Sequence, residues 1–232
     1  MKKLNRTIFL AIAILVLSPG VFAQDCGGYY PVNEGTMLAY KSFDEKGKPL
    51  GVNQQTIISK SSTAKGTDYT VKSEAWDAKG KKVSDAMLKM RCVDGKFFMD
   101  MKNFVDPKSM GDMKDMQMEV SGVDMEIPAE MYVGQTLPDA NISLAFTMND
   151  IVMLRITVNI TNRKVVSEES IEVPAGKFDC LKLTYDIETK AMIKISGSAA
   201  QWLAKGPGAV KSESYDKKGR LSSSQVLTDF KN

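Results

Sequence analysis

The chain has 232 residues, 43% of them hydrophobic and 25% charged, with 31 Lys and Arg against 28 Asp and Glu and no histidine. The missing imidazole removes the usual general base, the triads built on it and every histidine metal ligand, so we read a non-enzyme with no cofactor. Lys2, Lys3 and Arg6 supply the whole excess of positive charge, and without them no electrostatic case remains for nucleic acid or an anionic membrane.

Those three residues open a segment with the layout of a secretory signal peptide: "MKKLNR", the apolar "TIFLAIAILVL", then Pro19-Gly20 and Val21-Phe22-Ala23. The expected organisation is a signal peptide over 1–23 and one exported β domain over 24–232, periplasmic or extracellular. The apolar run is shorter than the roughly 20 residues a membrane-spanning helix needs, and no later segment comes closer. Gln24-Asp25 stand where a lipobox carries small residues, so Cys26 is read as an ordinary cysteine. Three cysteines in an exported chain allow one intramolecular disulfide and leave one thiol.

The rest of the chain has the period of strands. "SFDEKGKPL", "AWDAKGKKV" and "SYDKKGRLS" share an aromatic residue, Asp, two residues, Gly and a basic residue. Asp44, Asp77 and Asp216 suit the cap of a type I turn, and Gly47, Gly80 and Gly219 the left-handed position after it, so each motif predicts a hairpin tip. "MLKMRCVDGKFFMDM" predicts a tighter hairpin at Asp94-Gly95, with Cys92 facing Phe97, Met90 facing Met99 and Leu88 facing Met101 on one apolar face.

Residues 110–128 are the methionine-rich part. With Ser121-Gly122 as a turn, Met118 faces Met125 and Met116 faces Ile127, while acidic residues take the other side. Two readings compete here. Thioether sulfurs at Met113, Met116 and Met118 suit a soft metal such as Cu(I), but neither histidine nor a neighbouring thiolate assists them. A strand face of flexible apolar side chains explains the alternation without metal, and such a face suits variable apolar partners.

Further on, "LRITVNIT" and "LKLTYDIE" alternate apolar and polar residues, and "VPAGKF" between them predicts the turn of an antiparallel pair. Trp202, ahead of Gly206-Pro207-Gly208, is expected as a lid over the end of a core. The fold class is therefore all-β: a single antiparallel meander forming a barrel-like or strongly curved sheet.

Four blocks, "CGGYYPVNEGTMLAYKSFDEKGKPLG", "MRCVDGKFFMDM", "VPAGKFDCLKLTY" and "WLAKGPGAVKSESYDKKGRL", together resemble the TapB-like exported bacterial proteins. That resemblance implies one curved β domain in the cell envelope and supplies no catalytic residues. Within that picture we pair Cys26 with Cys92, tying the mature amino terminus to the sheet and leaving Cys180 as a thiol. Cys180 has the opposite parity to Leu181, so either a bulge intervenes or both faces of the sheet are covered there.

The function expected is a binding module of the envelope for an apolar ligand or a protein partner, with Met90, Met99, Met116, Met118 and Met125 as the candidate apolar face. The alternatives are an assembly accessory with a filled core and a Met-based copper binder.

Overall fold

Burying one face of so many alternating strands requires a sheet that curls on itself, since a flat sheet would leave two long edges unpaired. The computed structural model, which describes residues 26–100 and 117–232, shows this solution: thirteen antiparallel strands in one nearly closed, barrel-shaped sheet. Among the described residues no helix is long and apolar enough to cross a membrane. The signal-peptide segment, Met101, Met113 and Met116 lie outside the described residues.

Strands β1 (Met37–Asp44), β2 (Pro49–Thr63), β3 (Gly66–Asp77), β4 (Lys82–Val93) and β5 (Lys96–Met99) form the first meander. A second runs through β8 (Ala140–Met148), β9 (Ile151–Val173), β10 (Gly176–Lys190), β11 (Lys194–Ala204), β12 (Gly208–Asp216) and β13 (Leu221–Lys231). β13 pairs with β1, so the two meanders join through the chain's distant ends. The remaining strands, β6 (Gln117–Val123) and β7 (Met125–Pro128), are the two edges of the sheet.

The hairpin tips follow the local chemistry. In each Asp-Gly motif one carboxylate oxygen accepts two backbone N–H groups, those of Lys46 and Lys48 for Asp44, Lys79 and Lys81 for Asp77, and Lys218 and Arg220 for Asp216, at 2.8–3.0 Å. Gly47, Gly80 and Gly219 have φ of 77°, 80° and 75°. Asp94 and Gly95 both have positive φ, the requirement of the two-residue turn that matches strand twist. Beyond it Cys92 faces Phe97 and Met90 faces Met99, as the sequence predicts.

The hairpin expected at Ser121-Gly122 does not form. Residues 117–128 continue in one direction and change partner at Asp124: β6 pairs with β8, β7 with β5. Met118 faces Phe146, and Met125 faces Met99. A hairpin folded on itself would satisfy one ladder, whereas this segment lies against the edges of both meanders and satisfies two. Gly122 is held closely by the neighbouring strand, where a Cβ would lie 2.1 Å from the carbonyl oxygen of Asn141. Asp124 accepts from Arg91 Nη2 at 2.6 Å.

At this seam the join between β7 and β8 is bridged by Arg163. Its Nη2 donates to the Glu126 carbonyl on β7 and its Nη1 to the Pro138 carbonyl just before β8, both at 2.7 Å. Arg163 is 1% exposed, and burial holds its guanidinium below the usual arginine range, although such a strong base stays charged. A bulge aims it there. Asn162 has φ 55°, and on β10 only Tyr185 stands opposite Asn162 and Arg163.

A plug, the segment after Cys26, crosses one end of the barrel. Cys26 and Cys92 form a disulfide with Cα atoms 5.8 Å apart. The Gly206 N–H donates to the Gly28 carbonyl at 2.9 Å, and a Cβ on Gly28 would meet the Ala129 carbonyl oxygen at 2.1 Å. Tyr29 and Tyr30 are thereby pressed into the main core beside Met90, Phe97 and Leu203. A second cluster gathers Cys180, Val173, Trp202, Val210 and Leu227, where the β9–β10 turn leans on β13 through a hydrogen bond from the Ala175 N–H to the Leu227 carbonyl. Cys180 and Leu181 therefore bury opposite faces of β10 in different clusters, so both faces are covered there.

Three outcomes are expected. Ellman's reagent should find no reactive thiol in the native protein, one on unfolding and three after reduction, because burial pushes the Cys180 thiol up to about 11. Replacing Cys26 and Cys92 by Ser should cost about 4 kcal/mol for a cross-link of 66-residue separation, read by urea denaturation. Arg163→Met leaves two buried carbonyls unpaired and should cost about 3 kcal/mol, lowering Tm by roughly 6–12 °C.

Candidate functional site

Inward-facing side chains from every strand except β3 and β6 surround a cavity of about 500 Å³ inside the barrel. That size lies within the ordinary ~300–1,000 Å³ range of small-molecule sites. Met90, Met99 and Met125 line it, brought together by the β4–β5 and β5–β7 pairings. Met118 does not; it packs against the third core cluster, formed by β8 and β9 around Ile142, Leu144 and Phe146. Met116 lies outside the described residues.

The lining divides by strand. From β4 through the seam to β10 it is apolar apart from Tyr185, with Leu88, the three methionines, Ile127, Ile142 and Val158 among its residues. From β11 to β2 it carries neutral polar groups: Gln201, Ser212, Gln225, Tyr40 and Gln55. Gln201 faces Ser212, and Ser212 faces Gln225, so these three form one row across adjacent strands. Gln225 Nε2 also donates to Ser42 Oγ at 3.3 Å. No Lys, Arg, Asp or Glu lines the cavity among the described residues.

Tyr29 and Tyr30 form part of the wall at the plugged end. The Tyr30 ring stacks on Phe97 with centroids 4.1 Å apart and an interplanar angle of 21°. Its hydroxyl is buried and has no hydrogen-bond partner among the described residues. Burial pushes the pKa of Tyr30 and Tyr40 well above the usual phenol range, and that of Tyr185 up to about 12, so all three are neutral donors at physiological pH.

The alternation read from the sequence points to the methionines, but it misses this polar wall. Gln201 shares parity with Leu203, an inward polar residue in an otherwise apolar set, and that is the signal available in the sequence. Nothing local signals that Tyr29 and Tyr30 fold across the barrel end. Trp202 lies on the other face of β11, away from the cavity. Its indole N–H donates to Glu169 Oε2 at 2.7 Å, and the ammonium groups of Lys182 and Lys211 lie 4.7 and 4.5 Å from its ring centroid. The two ammonium groups over the indole face add cation–π attraction to the burial of the ring.

An unpartnered buried hydroxyl is a cost to the folded state that a phenyl ring would not carry. Tyr30→Phe should therefore raise the stability of the ligand-free protein by about 1 kcal/mol, with the urea m-value unchanged.

The comparisons agree with this architecture. A protein of YmcC-like fold from Bacteroides fragilis, assigned as exported, is 24% identical and superposes with a TM-score of 0.69 over 89% of this chain and 100% of its own. A protein from Parabacteroides distasonis, assigned as a lipoprotein, is 26% identical with a TM-score of 0.68 over 90% of this chain and 100% of its own. No curated protein matches the sequence. The DUF3108-like family model matches residues 33–227, from just after the plug to the last strand, and the chain belongs to that family.

Proposed function

We propose that the protein is a non-enzymatic carrier of the cell envelope that holds an apolar or amphipathic small molecule inside its barrel. The observation that carries this reading is the cavity, lined on one side by Met90, Met99 and Met125 with aliphatic neighbours. Methionine suits such a wall because its unbranched, polarizable side chain adapts to ligands of differing shape. The signal-peptide pattern, the narrower TapB-like resemblance and the exported or lipoprotein assignments of the two structural neighbours support the envelope location.

A second reading, contact with an envelope protein, rests on a different feature. The tip between β10 and β11 exposes Met192, Ile193 and Ile195 at 93%, 70% and 60%. Soft-metal binding has less support, since of Met113, Met116 and Met118 the last is part of a packed strand face and the others lie outside the described residues.

N-phenyl-1-naphthylamine, an uncharged apolar dye, tests the carrier reading. Saturable one-to-one binding to the mature protein is expected, weakened at least tenfold by Val158→Phe, which fills the cavity from its apolar wall. Absence of saturable binding sinks the carrier. Met192→Ser with Ile193→Ser should leave dye binding unchanged, and loss of an envelope partner in that variant would favour the second reading.

A further inference from the structure

Resting on the carrier reading, the geometry points to a narrower ligand class: we infer that the cavity takes a single-chain amphiphile with an uncharged, hydroxyl-bearing head, of the monoacylglycerol type. Three observations carry this. The first is charge. A carboxylate or phosphate drawn into this cavity loses its water and meets no cation, because the described lining holds neither Lys nor Arg. Burying an uncompensated charge is far more costly than burying a paired neutral group. Arg163, the buried cation of the seam, uses its two Nη groups on backbone carbonyls and does not line the cavity.

The second is the division of the walls. Gln201, Ser212 and Gln225 present a row of amides and a hydroxyl on one side, and Met90, Met99 and Met125 face them from the other side of the barrel. Glutamine amides and hydroxyls both donate and accept, which matches a head carrying several hydroxyls better than a group that only accepts. A plain hydrocarbon would leave that row unanswered.

The third is Tyr30, which lines the plugged end of the cavity and whose buried hydroxyl has no hydrogen-bond partner among the described residues. The stack on Phe97 holds this donor beside the cavity, and a ligand hydroxyl or ester oxygen that reaches it would satisfy it. Size sets the number of chains. At about 30 Å³ per small group, the share a water molecule takes in the liquid, 500 Å³ holds roughly sixteen such groups, the size of a glyceryl head with one chain of about ten carbons and too small for two chains.

The test is displacement of N-phenyl-1-naphthylamine from the mature protein at pH 8 by three probes of equal chain length: 1-decanoylglycerol, decanoate and decyl phosphate. Decanoylglycerol should displace the dye at least tenfold more tightly than decanoate or decyl phosphate. Tyr30→Phe should weaken decanoylglycerol about fivefold more than it weakens the dye, a split that a general loss of packing would not produce. Gln201→Leu should weaken decanoylglycerol and tighten the dye. Equal displacement by decanoate, or an unchanged ratio of decanoylglycerol to dye affinity in Tyr30→Phe, overturns the inference while the carrier stands. Failure of the dye itself to bind overturns the carrier and this inference with it.

Discussion

A sheet of thirteen strands has two edges, and in this protein both belong to the single stretch 117–128, which leaves one meander at Val123 and joins the other at Met125. The join is completed by one buried guanidinium. Arg163 spans from β9 to the carbonyl of Glu126 on one side of the seam and that of Pro138 on the other. Backbone carbonyls at a seam are a liability in an apolar interior, and a planar side chain with diverging donors answers two at once. The bulge at Asn162 exists in the same economy: a strand kept in strict register could not turn that side chain toward the seam. The closed interior, and therefore the cavity, depends on this arrangement.

Closure at the seam leaves the barrel's two ends to be treated differently. One end receives the segment after Cys26, held by the disulfide to Cys92 and by backbone contacts to Gly206 and Ala129. The C-terminal residue joins it, with Asn232 Oδ1 accepting from Thr36 Oγ1 at 2.8 Å and Asn33 Nδ2 at 3.1 Å. The other end carries the three Asp-Gly tips, whose carboxylates are spent on their own backbone. Aromatic residues stand at the plugged end of the cavity, and the flexible thioethers run along one wall.

The polar groups among the described lining of the cavity are neutral, and the described charges lie outside it or at the seam. The stacked cations over Trp202 and the surface ion pairs lie on faces turned away from the cavity, where water screens them and each contributes little. A protein built to hold an anion would invert that distribution.

The sequence by itself determined the strand content, the three Asp-Gly tips, the Asp94-Gly95 hairpin and the facing of Met90 with Met99, because each follows from a period of two or from turn chemistry spanning four or five residues. It also limited the cysteine chemistry to one bridge and placed Met90, Met99 and Met125 on apolar strand faces. It could not reveal the partner of residues 117–128. Alternation says which side chains share a face, whereas the choice between folding back and joining two distant edges depends on where those edges lie in space. The folding of Tyr29 and Tyr30 across the barrel end, the seam role of Arg163 and the polar wall of Gln201, Ser212 and Gln225 are likewise products of tertiary structure. Each brings together residues from strands far apart in the chain, and a one-dimensional pattern carries no information about that distance until the sheet closes.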